Sequence, residues 1–301
     1  MTQQPRVRTL AFIGLGQMGL PMARRLLSAG HAVRGFDVSS EARATLAQAG
    51  GVPCASAAEA ASGADEVITM LPSGAIVRAA LLGDNGALLS LAQGGLVVDM
   101  SSSAPTDTVA LDKDLRSRGY RLIDAPVSGG VRRAIDGTLT IMAGGISDDI
   151  EDARQLLEVM GSKIFKTGGP GTGHAMKALN NYVSAAGAVA AMEAVIVGSR
   201  FGLDAETMVD ILNVSTGRNN TTETKLKQFV LSETWGSGFA LALMAKDVGI
   251  AAGLSRALDL ETPGLASAAL LWGKAAQALG QGADHTEIMR FLQSQSRGVD
   301  D

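Results

Sequence analysis

The segment Phe12-Ile13-Gly14-Leu15-Gly16-Gln17-Met18-Gly19 constrains this chain more than any other. It sets the spacing G-x-G-x-x-G directly behind an apolar run at 9–13. That run reads as a buried parallel strand, and 21–29, with apolar residues at helical spacing, reads as a helix. Each glycine has its own physical reason. Gly14 permits a tight turn, Gly16 lets backbone approach a pyrophosphate, and Gly19 allows close helix–strand packing. Free N–H groups at the start of the helix then face phosphate charge. The order strand, glycine turn, helix predicts a dinucleotide site along Gly14, Leu15, Gly16, Gln17, Met18 and Gly19.

A second apolar stretch, 31–36, ends in Asp37, about 20 residues beyond the glycines, where an acid can bond a ribose 2′-hydroxyl. Asp37 would repel a 2′-phosphate, so NAD is favoured over NADP. Arg34 nearby tempers that preference. The competing reading of Asp37 is a strand-end acid that caps the next helix.

Composition narrows the class. At 301 residues the chain can hold two domains, and 19% charged against 46% apolar residues is the balance of a globular protein. A formal net charge of −4 with scattered basic residues carries no footprint for nucleic acid. The single cysteine, Cys54, excludes an intramolecular disulfide and reads as a small buried hydrophobe in a reducing compartment. The polar start, from Met1 to Arg8, has no signal-peptide core. The apolar stretch 183–198 is interrupted by Glu193 and is short for a bilayer span, so no membrane partner is expected. The chain reads as soluble and cytoplasmic. No metal site is expected.

Strand-like runs at 10–13, 32–36, 66–70, 96–99, 120–124 and 139–143 alternate with helical stretches. Such alternation predicts an α/β fold, a Rossmann-type, doubly wound, mainly parallel sheet. The pattern stops at the turn-rich Gly168-Gly169-Pro170-Gly171. Beyond it the chain reads as helices at 173–201, 204–214, 222–231, 241–258 and 263–277, with a last one from 286. The expected domains are 1–168, binding NAD(P), and 169–301, an all-α domain for substrate and dimerisation that includes a long connecting helix. Small residues on that helix (Ala185, Ala186, Gly187, Ala188) favour close approach of another helix, so a homodimer or homotetramer is expected.

In doubly wound sheets, ligands sit outside the carboxyl ends of the strands. Three segments there offer hydroxyls and backbone N–H groups: Leu71-Pro72-Ser73, Asp99-Met100-Ser101-Ser102-Ser103, and Asp124 through Ser128-Gly129-Gly130. The alternative for each is ordinary turn and cap chemistry. In the helical half, Lys177 and Asn181 stand at i and i+4, on one face of a helix expected to border a cleft. Partial desolvation would draw a lysine there toward the range useful for acid–base work. His174, one turn earlier, reads as structural. Lys246-Asp247 reads either as a local ion pair or as a lysine reaching the cofactor.

With these motifs in order, the chain resembles the β-hydroxyacid dehydrogenases, the 3-hydroxyisobutyrate dehydrogenase family. The resemblance spans nearly the whole length and rests on Gly14 to Ala23, Asp124 to Gly130, Gly173 to Asn181 and Lys246-Asp247. It implies hydride exchange between NAD(P) and the β-carbon of a small 3-hydroxy acid. Lys177 would be the general acid/base. Ser128, Gly129 and Gly130 would hold the substrate carboxylate, Asn180 would also contact the substrate, and Asn181, with Lys177 a catalytic residue, would hydrogen-bond the substrate or the lysine. Leu71, Pro72, Ser102 and Lys246 would contact the cofactor. Alternatives are a β-hydroxy amino acid dehydrogenase of the D-threonine or phenylserine type, a tartronate semialdehyde-type reductase, or a non-catalytic NAD-binding relative. Arg218 with Asn219 and Asn220 reads either as substrate contact or as a brace for its turn.

Overall fold

The computed structural model describes residues 7–296; the segment from Met1 to Arg6, read above as polar and without a signal core, lies outside them. The chain divides into two compact units between Lys177 and Ala178.

The first unit alternates strands and helices: β1 (Thr9–Ile13), α1 (Gly19–Ser28), β2 (Ala32–Phe36), α2 (Ser40–Gln48), β3 (Val52–Pro53), α3 (Ala57–Ala61), β4 (Glu66–Thr69) and α4 (Gly74–Leu82). It continues with β5 (Leu96–Asp99), α5 (Pro105–Ser117), β6 (Arg121–Asp124), β7 (Val127–Ser128), α6 (Gly130–Asp136), β8 (Leu139–Gly145), α7 (Ser147–Met160) and β9 (Gly161–Gly168). The strand order is β3-β2-β1-β4-β5-β6-β8-β7, with β9 also paired to β8. From β3 to β6 every pairing is parallel, whereas β8 runs antiparallel to β6 and β7.

The expected doubly wound sheet is therefore present, and its burial explains it. Leu10 and Phe12 of β1 enter one core, while Ala11 and Ile13 enter the other. Both faces of the strand are covered, so its sequence runs apolar instead of alternating. Burial of each large aliphatic or aromatic side chain contributes about 1.5–3 kcal/mol. Sheet order reverses direction at β1 and β4, which opens the crevice where doubly wound folds bind ligands.

Three strands were not anticipated. β3 and β7 have two residues each, too short to carry a pattern. β9 pairs in parallel with β8 but is mostly exposed, so it lacks the apolar run that marks its neighbours.

Helix α8 (Thr172–Phe201) crosses the division between the units. Its 30 residues extend well beyond the apolar stretch at 183–198, and by length and composition alone it could cross a membrane. Ala185, Ala188, Met192 and Val195 instead face the core of the second unit. That unit continues with α9 (Ala205–Val214), α10 (Asn220–Thr224), α11 (Leu241–Ala257), α12 (Pro263–Leu279) and α13 (Ile288–Ser296). The helix expected at 222–231 is interrupted: after α10 the backbone continues as π-helix at Leu226–Leu231.

Candidate active site

Four loops at the carboxyl ends of β1, β2, β4 and β5 share one edge of the sheet. Gly14 has φ +97°, and a Cβ there would lie 2.3 Å from the Met70 carbonyl oxygen. A Cβ on Gly19 would lie 1.9 Å from the Gly14 carbonyl oxygen. No larger residue fits either place. Gly16 differs: it is exposed, and a Cβ would meet nothing within 4 Å. Its backbone faces open space, as a pyrophosphate cradle requires, and α1 begins behind it with no side-chain cap and no acid in its first turn.

Asp37 does two things. Its Oδ2 accepts the Leu15 N–H at 2.7 Å and its Oδ1 accepts the Ser39 N–H at 2.8 Å. The carboxylate thus ties the glycine loop to the end of β2, and Ser39, not Asp37, caps α2. A carboxylate has roughly four acceptor positions, so capacity for a ribose hydroxyl remains. Arg34 turns away from any ribose: its guanidinium donates to the carbonyls of Glu59 and Ala60. The chemistry and space of this edge fit a dinucleotide with a free 2′-hydroxyl.

After β4, Leu71 N–H donates to Ser101 Oγ at 2.9 Å, joining two of the loops, and Ser73 caps α4. After β5, Asp99 is buried and accepts from Thr69 Oγ1 and the Ser101 N–H. Ser103 is buried with it. Those residues serve the turn, and Ser102 is the half-exposed one of the three serines.

Asp124 was read as a possible pocket residue, but it is fully buried and holds α8. Its Oδ1 accepts the Gly171 N–H and its Oδ2 the His174 N–H, each at 2.8 Å. A carboxylate there also complements the positive end of the helix. His174 Nδ1 lies 2.8 Å from Thr108 Oγ1, and Nε2 lies 3.2 Å from the Ser101 carbonyl oxygen. Gly173 has no room for a side chain, since a Cβ would lie 2.3 Å from the Met142 carbonyl oxygen. The first turn of α8 is therefore pinned to β6 and α5. Half-buried Lys177 follows His174 by three residues.

The loop behind β7 is open. Ser128 is half-buried at the strand end, followed by Gly129 with φ +135° and Gly130 with φ +67°, both exposed. Both glycines occupy backbone space that L side chains rarely enter.

In the second unit, buried Asn181 donates through Nδ2 to Asp247 Oδ2 at 2.6 Å. Asn180 Nδ2 lies 3.2 Å from Asn181 Oδ1, and Lys246 Nζ is 3.8 Å from Asp247 Oδ1. Asn181 is thus oriented by an acid that sequence reading had paired only with Lys246. Asn219 proves to be a brace. Its side chain caps α10 in a capping box with Thr222 and donates to the Gly187 carbonyl of α8. Arg218 is exposed and lies 3.7 Å from Glu223.

A doubly wound sheet with this glycine loop, acid and helical second unit is an architecture of NAD-binding proteins. Comparison with known proteins narrows the class. The family model for the NAD binding domain of 6-phosphogluconate dehydrogenase matches residues 9–169. The model for the NAD-binding domain of NADP-dependent 3-hydroxyisobutyrate dehydrogenase matches residues 171–292. The chain is 38% identical over 273 residues to 3-sulfolactaldehyde reductase of Escherichia coli, covering 91% of each. It is 39% identical over 263 residues to NAD-dependent L-serine dehydrogenase of Pseudomonas aeruginosa, covering 85% of this chain and 88% of that one. The solved 3-hydroxyisobutyrate dehydrogenase of Mycobacterium tuberculosis with L-serine superimposes with a TM-score of 0.88 at 35% identity, covering 95% of this chain and 99% of that one. The chain belongs to the 3-hydroxyisobutyrate dehydrogenase family of NAD-dependent β-hydroxyacid dehydrogenases.

Proposed function

We propose that this protein reversibly oxidises the β-hydroxyl of a small 3-hydroxy acid, 3-hydroxyisobutyrate or a near relative, with Lys177 as general acid/base. The observation that supports the reading is the first turn of α8, held by buried Asp124 through the Gly171 and His174 N–H groups, with Lys177 three residues after His174 on the same helix. NAD, when bound, supplies the hydride acceptor. Leu15, Gln17 and Met18 with the three glycines, Leu71, Pro72, Ser102 and Lys246 are its proposed contacts, and Asp37 its ribose contact. Residues 1–168 form the cofactor domain in this reading, and 169–301 the substrate and dimerisation domain.

The chain's own groups divide the remaining work. Backbone N–H groups of Gly129 and Gly130 and the Ser128 hydroxyl suit a substrate carboxylate, because donors to a charged acceptor form the stronger hydrogen bonds. Lys177 takes the hydroxyl proton in oxidation and returns it in reduction; its ammonium form stabilises alkoxide character. Asn181, oriented by Asp247, fixes the substrate hydroxyl or the lysine, with Asn180 next to it. The relatives named for L-serine and 3-sulfolactaldehyde support a β-hydroxy amino acid and, in the direction of reduction by NADH, an aldehyde as alternative substrates. A reducing cytoplasm suits the one buried cysteine.

The test is turnover of NAD+ with a panel of 3-hydroxy acids and β-hydroxy amino acids, for wild type and Lys177→Ala. Lys177→Ala is expected to lower kcat at least about 10²-fold, the lower range for loss of a general acid/base, with NAD affinity unchanged. NAD binding without turnover on any panel member would leave a cofactor-binding protein and overturn the reading.

A further inference from the structure

The imidazole of His174 is buried, and its two nitrogens meet two different parts of the first unit. Nδ1 lies 2.8 Å from the Thr108 hydroxyl of α5, and Nε2 lies 3.2 Å from the Ser101 carbonyl oxygen behind β5. A carbonyl only accepts, so the geometry assigns a proton to Nε2. Among the described residues no other group donates to that carbonyl.

Ser101 is a junction of the cofactor edge. Its Oγ accepts the Leu71 N–H at 2.9 Å, its own N–H donates to Asp99, and its carbonyl belongs to the peptide that leads into Ser102. Leu71 and Ser102 are both proposed cofactor contacts, so Nε2 holds the backbone that presents them. On the other side, Thr108 is buried in α5. A Cβ on Gly171 would lie 2.8 Å from the Pro105 carbonyl oxygen at the start of that helix, so α8 begins against α5. The Thr108 contact fixes how its first turn leaves, and Lys177 follows three residues on, a neighbouring place on the helix surface. Asp124 holds only backbone N–H groups of this turn, whereas the imidazole also reaches the cofactor edge.

We propose that His174 is a positioning residue with two separable arms. Nε2 sets the Ser101–Ser102 peptide for the cofactor, and Nδ1 sets α8, and with it Lys177, for proton transfer. The inference rests on the dehydrogenase reading above and adds to it a residue that touches neither substrate nor cofactor.

Two substitutions separate the arms, because a glutamine amide reaches the place of Nε2 and an asparagine amide that of Nδ1. His174→Gln keeps the donor to Ser101 and loses the Thr108 contact. Its kcat should fall about 10-fold, the worth of one hydrogen bond, while NAD affinity by calorimetry stays at the wild-type value. His174→Asn keeps the Thr108 contact and loses the donor to Ser101. Its NAD affinity should fall about 10-fold, with kcat at saturating NAD changed much less. Thr108→Val removes the hydroxyl without touching the ring and should repeat the glutamine result. Thermal melts locate a temperature at which every variant is folded, and all assays run there.

Loss of kcat and NAD affinity together in both His174 variants would reduce the residue to packing and overturn the proposal. Variants that differ from wild type only in melting temperature would overturn it too, as would Thr108→Val with full kcat. A wild type that binds NAD and turns over no substrate would overturn the dehydrogenase reading instead. The calorimetric contrast between the glutamine and asparagine variants would still decide the Ser101 arm.

Discussion

At the scale of single residues, the burial of Glu66 carries a cost. The residue opens β4 and is 5% exposed; Arg8 donates to its Oε1, and its Oε2 has no partner. The arginine pulls the carboxyl down, but burial outweighs it and pushes the pKa up to about 7. The folded state therefore favours the protonated acid. Stability from this group is fully present below the usual carboxylate range, near 4.5, and is lost as pH rises toward 7. A shift of this size corresponds to about 3 kcal/mol as an upper order of magnitude. Between pH 5 and pH 8, wild type should lose about 1–3 kcal/mol more stability than Glu66→Gln, compared by urea midpoints at each pH. Parallel pH profiles for the two proteins would refute it. Comparing slopes with pH cancels the change in the Arg8 contact that the substitution itself makes.

At the scale of an element, α8 is the part whose placement matters most. Its first turn depends on a carboxylate from β6, far away in sequence, and on two glycines, Gly144 and Gly173, that leave room for the approach. Asp124→Ala would leave the Gly171 and His174 N–H groups buried without an acceptor, at a cost of about 2–4 kcal/mol. Lys177 lies on the next turn, so kcat should fall along with stability while NAD affinity holds, because the glycine loop touches none of these atoms. Asp124→Asn keeps one acceptor and should fall between. Thermal melts and an NAD titration measure the two effects separately; an Asp124→Ala protein with full kcat would show that the anchor does not position the lysine. This anchor also marks where sequence reading stopped. The glycine turn and the six main strands were legible because each depends on local period or spacing. Asp124 lay in view as a strand-end acid, yet its role depends on which helix the fold brings opposite. The Asp247 contact that orients Asn181 likewise joins α8 to α11.

For the whole molecule, the remaining question is what covers α8. Leu179, Val183, Ala190, Ala194, Val197 and Phe201 are exposed and recur at spacings that keep them near one stripe of the helix. Val183 and Val197 are 69% and 68% exposed, and Phe201 is 86% exposed. Nearby Leu203 and Val214 are exposed as well. Isolated apolar side chains on a surface are ordinary, but a stripe along a helix of 30 residues is a surface that pairing with another helix would cover. The small residues between the large ones let a second helix come close. A second copy of the chain, pairing α8 with its counterpart, would cover the stripe; stable dimers bury roughly 800 Å² per partner. At micromolar concentration, light scattering should give the mass of two or more chains. Val183→Asp with Val197→Asp should shift the protein to single chains, because a charge buried at each position has no partner. Circular dichroism should be unchanged, since both side chains face away from the core of the second unit. A wild-type protein that scatters as one chain at that concentration would rule out the pairing and leave the stripe to a different partner.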